Sequence, residues 1–280
     1  MKFLRVGNKG KEKPAVIEKN GIIRDISTFI QDLNPENLTF ETISKIKKIN
    51  LQNLPEVSKS TRIGSCITKP GKFIGIGLNY SDHALETGAK PPPEPIIFMK
   101  ATSSINGPND NIIMKKNSKK LDWEVELAFV IGKEAKCISA DQAPNHIFGY
   151  CIVNDVSERE WQIEKMGQWV KGKSADSFGP VGPYLVTQDE ISDINNLNLS
   201  LDVNEKRMQT GNTRKMIFSI NFILSYLSNF MSLQPGDIIT TGTPPGVGMG
   251  KNPQIFLKTG DKLRLYIDNL GEQNSKIVSE

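Results

Sequence analysis

Glu124 and Glu126 are two carboxylates one residue apart on an apolar segment, and such a pair needs something to hold it. They lie in Leu121-Asp122-Trp123-Glu124-Val125-Glu126-Leu127-Ala128-Phe129-Val130-Ile131-Gly132. Extended backbone sends alternate side chains to opposite faces. Trp123, Val125, Leu127, Phe129 and Ile131 then share a core-facing side, and the two glutamates share the other with Cα atoms about 7 Å apart. The pair is tolerated if one carboxyl takes up a proton or a cation lies between them. A solvated pair on an edge strand is the plainer alternative, and the strand alone leaves all three open.

Two further groups carry chemical character. Asp155 ends the apolar run 147–156, where a strand is expected to give way to a helix at Ser157-Glu158-Arg159-Glu160-Trp161-Gln162. His83 and Glu86 stand three residues apart, which places them on one face of a helical turn. A carboxylate beside an imidazole fixes its tautomer and raises its basicity, as a general base requires. An exposed histidine on a capped helix is the competing reading. Pro91-Pro92-Pro93 on one side and Gly88 on the other suit a short lid. Glu124, Glu126 and Asp155 form an all-oxygen set, which suits Mg²⁺, Mn²⁺ or Ca²⁺. The total of two histidines argues against zinc. Three carboxylates leave up to about three of the six positions of Mg²⁺ for water and a chelating substrate.

The elements that must position these groups read as a β-rich chain in two parts. Residues 1–66 are expected to form a small domain with strands at 3–6, 15–18 and 22–25, a turn at Lys19-Asn20-Gly21 and a helical stretch at 42–48. This part holds no His, and its acids are dispersed. Residues 67–280 carry further expected strands at 73–78, 95–100, 184–187, 197–203, 206–209, 238–241, 256–257 and 262–268. A helix-like passage follows Gly132, and 168–180 reads as an ordered loop. Ser219 caps a helix over 219–231 with its apolar stripe at Ile220, Ile223, Leu224, Leu227 and Met231. The turn 242–250 is glycine-rich without the lysine ending of a phosphate loop. Gly75-x-Gly77 invites a dinucleotide site, but Tyr80 occupies the third glycine position.

Composition excludes several classes. A length of 280 residues, 38% hydrophobic and 24% charged, with a net charge of +4, describes an ordinary globular protein. The basic residues lack interleaved aromatics, so nucleic acid is not an expected partner. Cys66, Cys137 and Cys151 are odd in number and widely spaced, which indicates neither a disulfide framework nor a zinc site. No stretch approaches the ~18 apolar residues of a membrane span. A cytoplasmic protein, with no membrane partner, is expected.

Several separate motifs resemble the fumarylacetoacetate hydrolase family. They are Gly77-Leu78-Asn79-Tyr80-Ser81-Asp82-His83, Asp122-Trp123-Glu124-Val125-Glu126-Leu127, Asn154-Asp155-Val156-Ser157, Lys173-Ser174-Ala175-Asp176-Ser177-Phe178-Gly179-Pro180 and Thr241-Gly242-Thr243-Pro244-Pro245-Gly246-Val247-Gly248. They run in the family's order, and residues 1–66 resemble its small N-terminal domain. The resemblance implies a mixed α+β, β-rich fold: a β-roll with a metal at its centre, usually in a homodimer. It implies Mg²⁺ or Mn²⁺ held by Glu124, Glu126 and Asp155, with Ca²⁺ as a non-native occupant. It implies a lid dyad of His83 and Glu86, a substrate-facing Lys173, and substrate contacts from Arg159, Gln162 and Thr243.

The resulting expectation is hydrolysis of a C–C bond in a small 2,4-diketo acid, with a 2-oxo or 2-hydroxy acid as ligand. The diketo-deoxy-sugar-acid and acylpyruvate types both fit. Asn79, Arg159, Gln162 and Lys173 suggest a hydroxylated substrate. The alternatives are a ureidoglycolate lyase, an oxaloacetate decarboxylase or tautomerase, and a hydroxyheptadienedioate isomerase. Outside these stand a metal-stabilised assembly module and a nicotinamide oxidoreductase. The lid dyad argues against the module, and the incomplete glycine fingerprint argues against the oxidoreductase.

Overall fold

The computed structural model describes residues 1–86 and 90–280, with the backbone alone for 83–85. A ten-stranded sheet runs through it. Its order is Glu56–Val57, Ile23–Asp25, Lys13–Ile17, Lys2–Val6, Leu185–Thr187, Ile147–Asn154, Val125–Ile131, Ile238–Thr240, Phe73–Gly77 and Ile96–Lys100. The first four strands continue the sheet through an antiparallel pairing of Lys2 and Phe3 with Val186 and Leu185. A second sheet orders Lys206–Asn212, Asn198–Val203, Lys262–Ile267, Gly271–Ser279 and Ile112–Met114. The fold is β-rich mixed α+β.

The alternation on Val125–Ile131 decides where the cores lie. Trp123, Val125, Leu127, Phe129 and Ile131 all enter the larger apolar cluster, which includes Leu199, Leu201, Leu263 and Leu265 of the second sheet. Ala128 and Val130 enter a separate cluster with Phe3, Leu33 and Ile46 of the N-terminal segment. Glu124 and Glu126 therefore head the face that becomes the second core two residues later. A strand buried on both faces cannot leave them in water, which removes the edge-strand alternative.

The expected continuous strand 121–132 is interrupted at Trp123 and Glu124, between Leu121–Asp122 and Val125–Ile131. Side chains replace the ladder there: Asn154 Oδ1 accepts from the Glu124 N–H, and Gln209 Oε1 accepts from the Val125 N–H. Ser157–Glu158 is a short strand on Leu121–Asp122 rather than a helix start, and a π-helical turn, Glu160–Glu164, follows it. The helix-like passage after Gly132 is bends and a short 3₁₀ turn, Ala143–His146, because its apolar residues lack helical period. The expected strand 256–257 is irregular. The 168–180 loop contains the short helix Val170–Lys173. Gly271–Ser279, a final strand that the sequence reading left out, pairs with both Lys262–Ile267 and Ile112–Met114. Helix Ile220–Ser228 forms with Ser219 Oγ accepting from the Phe222 N–H, and its stripe enters the larger core. Among the described residues no helix is long and apolar enough to cross a membrane.

Candidate metal centre and cavity

Three local features bring the acids together. Asp155 follows the Ile147–Asn154 strand, and its N–H donates to the Glu124 carbonyl at 2.9 Å. Glu126 is the second residue of its own strand, and the register pairs it with Val153. Ligand oxygens of Glu124, Glu126 and Asp155 consequently lie within 4.8 Å of one another, and all three residues are buried.

Cations surround this triad unevenly. Lys173 Nζ donates to Glu124 Oε2 at 2.7 Å and to Asp155 Oδ2 at 2.6 Å. Arg159 donates to Glu124 Oε1 at 2.7 Å, to Asp122 Oδ2 at 2.8 Å and to Gln162 Oε1 at 2.9 Å. Lys100 Nζ donates to Asp155 Oδ1 at 2.6 Å and to the Lys173 carbonyl at 2.5 Å. Glu126 accepts the Gly242 N–H at 2.9 Å, and no cation pairs with it among the described residues.

Electrostatics follow this inequality. Burial works against the Glu124 charge, but Lys173 and Arg159 outweigh it and hold the carboxyl below the usual range. Burial, Asp155 and Glu124 together push the Glu126 carboxyl well above it. Burial opposes the Lys173 charge, yet Asp155 and Glu124 outweigh it and keep the ammonium charged. For Lys100 burial wins over Asp155, and its value falls.

Four buried carboxylates (Asp122, Glu124, Glu126 and Asp155) thus face three buried cations (Lys100, Arg159 and Lys173). Fully ionised, the cluster holds one uncompensated negative charge, at a position where three oxygens converge. A divalent cation fits this donor set: it compensates the surplus carboxylate, and hard oxygen ligands suit Mg²⁺ or Mn²⁺.

Glu124 and Glu126 of the triad line a cavity of about 120 Å³, together with Arg159, Gln162, Lys173, Gly242 and Thr243. Thr243 Oγ1 donates to the Val125 carbonyl and accepts from Gln209 Nε2, so its hydroxyl is engaged with the fold. Arg159 and Gln162, expected to contact substrate, both border the cavity; they bond each other, and Arg159 also orients Glu124. Asn79 does not line the cavity. Its amide bridges Phe218 and Thr241, which removes it from the argument for a hydroxylated substrate.

Glu86 is tied to the glycine turn, where both its oxygens accept the Gly246 N–H at 2.9 and 3.0 Å. Gly246 has φ +108°, and a Cβ there would meet the Met208 carbonyl at 2.0 Å, so glycine is required at this turn. The His83 side chain lies outside the described residues.

Asp122 and Lys100 are site residues that the sequence reading did not single out. Asp122 accepts from the Gly248 and Met249 N–H groups as well as from Arg159, joining the turn to the triad. A lysine closing the apolar strand Ile96–Lys100 was the available signal, since a lysine is rarely buried unless paired.

The chain matches the Fumarylacetoacetate (FAA) hydrolase C-terminal family over residues 72–278. A protein of Burkholderia ambifaria is 54% identical over 274 residues, covering 98% of this chain and 97% of its own. Its description goes no further than an unspecified hydrolase. A fumarylacetoacetate hydrolase structure from Exiguobacterium antarcticum aligns over 100% of both chains at 33% identity, TM-score 0.90. A maleylpyruvate hydrolase from Sphingobium, solved with manganese(II) and pyruvate, aligns at 27% identity over 100% of this chain and 99% of its own, TM-score 0.83. A 2-hydroxyhepta-2,4-diene-1,7-dioate isomerase from Mycobacterium marinum aligns at 29% identity with the same coverage, TM-score 0.75.

Proposed function

The chain belongs to the fumarylacetoacetate hydrolase family, whose members include hydrolases and isomerases, and from that premise we propose a divalent-metal-dependent hydrolase that cleaves a C–C bond in a small 2,4-diketo acid. The observation that carries this reading is the buried triad of Glu124, Glu126 and Asp155, in which Glu126 has no cation partner among the described residues and, with Glu124, lines a cavity. The manganese(II) and pyruvate in the Sphingobium enzyme support it from outside.

Glu124, Glu126 and Asp155 would hold Mg²⁺ or Mn²⁺, which supplies Lewis acidity and a template for the 2-oxo acid end of the substrate. Lys173, kept charged by Asp155 and Glu124, faces the negative charge that develops on the same end. Arg159, steadied by Gln162, holds Glu124; both border the substrate's path, and Thr243 forms part of the cavity wall. His83, oriented by Glu86, takes a proton from water as the water attacks C4. The C3–C4 bond breaks, and its electron pair leaves as the enolate of pyruvate. Protonation at C3 gives pyruvate, and the acyl part departs as a carboxylate. Anchoring of Glu86 to the 242–250 turn would set where the dyad sits when the Ser81–Glu86 segment closes.

The same reading takes residues 1–66 as a small N-terminal domain built onto the sheet, residues 67–280 as the catalytic domain, and the working protein as a cytoplasmic homodimer. A panel of diketo-deoxy sugar acids, acylpyruvates, oxaloacetate and ureidoglycolate with Mg²⁺ or Mn²⁺, followed by product identification, tests the reaction. Pyruvate plus a carboxylic acid is the expected outcome. Carbon dioxide alone, or urea with glyoxylate, would replace hydrolysis with decarboxylation or elimination. Failure on every chelating acid with metal bound would return the chain to a non-catalytic role.

A further inference from the structure

The cavity has two chemically different ends. Glu124, Glu126, Lys173 and Arg159 form one. Ile76, Leu78, Phe98, Ile163, Trp169 and Met249 form the other. The Phe98 and Trp169 rings meet at 5.4 Å in a tilted pair, and Lys173 Nζ lies 5.0 Å from the Phe98 centroid, joining the two ends.

Phe73–Gly77 is built to seat this wall. A Cβ on Gly75 would come within 2.1 Å of Phe98, and one on Gly77 within 2.5 Å of Trp169. The Gly75-x-Gly77 pair therefore admits two aromatic rings against the strand, which explains a motif that the dinucleotide reading left unfilled. At the rim Ile163 is 46% exposed, an apolar side chain in water beside an apolar wall.

Charge decides the rest. Among the described lining residues the cations are Arg159 and Lys173, and both are already paired with the acids of the triad end. With a dication bound, the buried cluster carries one surplus positive charge, which a single substrate carboxylate cancels. Among the described residues a second carboxylate beside Phe98, Trp169 and Ile163 would meet no unpaired cation, and contact with the rings would cost it part of its hydration. Among the described residues, hydroxyl groups there would meet a wall of carbon whose one polar group is the Trp169 indole N–H.

We propose that Phe98, Trp169 and Ile163 make this site selective for 2-oxo monocarboxylates with an apolar acyl or alkyl tail, against dicarboxylates and polyhydroxylated acids. The proposal rests on the reading of the triad as a metal site for a 2-oxo acid, and deepens it. It separates this chain from relatives such as the heptadienedioate isomerase, whose named substrate carries a carboxylate at each end.

The test uses three non-cleavable 2-oxo acids with one head group and different tails: pyruvate, 4-methyl-2-oxopentanoate and 2-oxoglutarate. The last two are nearly the same size and differ in an isopropyl against a carboxylate end. Calorimetric titration into the Mn²⁺-loaded full chain should give 4-methyl-2-oxopentanoate an affinity ~10- to 100-fold above pyruvate, from burial of its branched end, and 2-oxoglutarate none above pyruvate. Trp169→Ala should bring 4-methyl-2-oxopentanoate to within a few-fold of pyruvate while pyruvate itself still binds as before. That unchanged head-group affinity reports an intact fold. Equal or tighter binding of 2-oxoglutarate, or an undiminished tail preference in Trp169→Ala, overturns the selectivity and leaves the metal-site reading standing. Failure of all three acids to bind overturns both.

Discussion

Two charge networks in this chain use the same groups to opposite ends. Near the N-terminus Arg5 makes paired bonds to Asp32 at 2.6 and 2.9 Å and reaches Glu12 at 3.4 Å. Arg62 makes paired bonds to Asp110 and a 2.8 Å bond to Glu12. Three carboxylates share two guanidiniums there, and each of the three is paired. In the triad, Lys100, Lys173 and Arg159 satisfy Asp122, Glu124 and Asp155, and Glu126 is left over. A fold that pairs every acid of one network has no structural reason to bury an unpaired acid in another. That unpaired acid is what favours the proposed cation site over a purely structural cluster.

The largest expected effect lies outside both networks. His83→Ala should lower hydrolysis by ~10²- to 10⁴-fold, the usual worth of a general base, while Mn²⁺ and pyruvate still bind. Steady-state rates beside calorimetry check this, and lost metal binding in the variant would make His83 structural instead.

Breaking a cation of the open network should cost stability as well as chemistry. Lys100→Met leaves Asp155 Oδ1 and the Lys173 carbonyl without a buried donor, and removing one partner of a buried pair costs ~3–5 kcal/mol. Denaturant unfolding should show that loss, with weaker metal binding because Asp155 is no longer oriented. A variant as stable as the parent would show that Lys100 does not hold the site.

The smallest effects are the most diagnostic of the contrast, because the two glutamates should answer pH in opposite directions. Burial opposes the Glu12 charge, but Arg62 and Arg5 outweigh it and lower its folded value below the ordinary 4.5. Its contribution is then present above 4.5 and lost as pH falls through the lowered value. The folded value of Glu126 is raised, so its contribution in metal-free protein is present below 4.5 and lost as pH rises above it. In melting curves across pH, Glu12→Gln should remove part of the acid-side loss, and Glu126→Gln should remove part of the loss on raising pH. Parallel profiles for the two variants would erase the distinction between the networks.

Much of this was legible in sequence, because period-two alternation is a property of the backbone. The alternation alone assigns the five odd-numbered apolar residues from Trp123 to Ile131 to one core and the two glutamates to the other face. What sequence did not carry were contacts between distant segments. Lys100 meets Asp155 across 55 residues, and Asp122 meets the 248–249 backbone across about twice that separation. The resemblance places Arg159 and Gln162 beside the substrate, and both line the cavity. What it did not carry is that Arg159 also holds Glu124 and Asp122 while bonding Gln162. Gly75 and Gly77 read as a failed nucleotide motif, because no local signal reveals that Phe98 and Trp169 will lie across them.

The central claim is that the surplus carboxylate makes this triad a divalent-cation site, and calorimetric titration of Mn²⁺ into metal-stripped protein tests it most directly. The parent chain should bind, and Asp155→Asn and Glu126→Gln should each lose more than the ~10- to 100-fold in affinity that changes behind a metal's own ligands cost. Glu12→Gln should bind like the parent. Unchanged Mn²⁺ affinity in both triad variants would contradict the account and remove the three acids from the site.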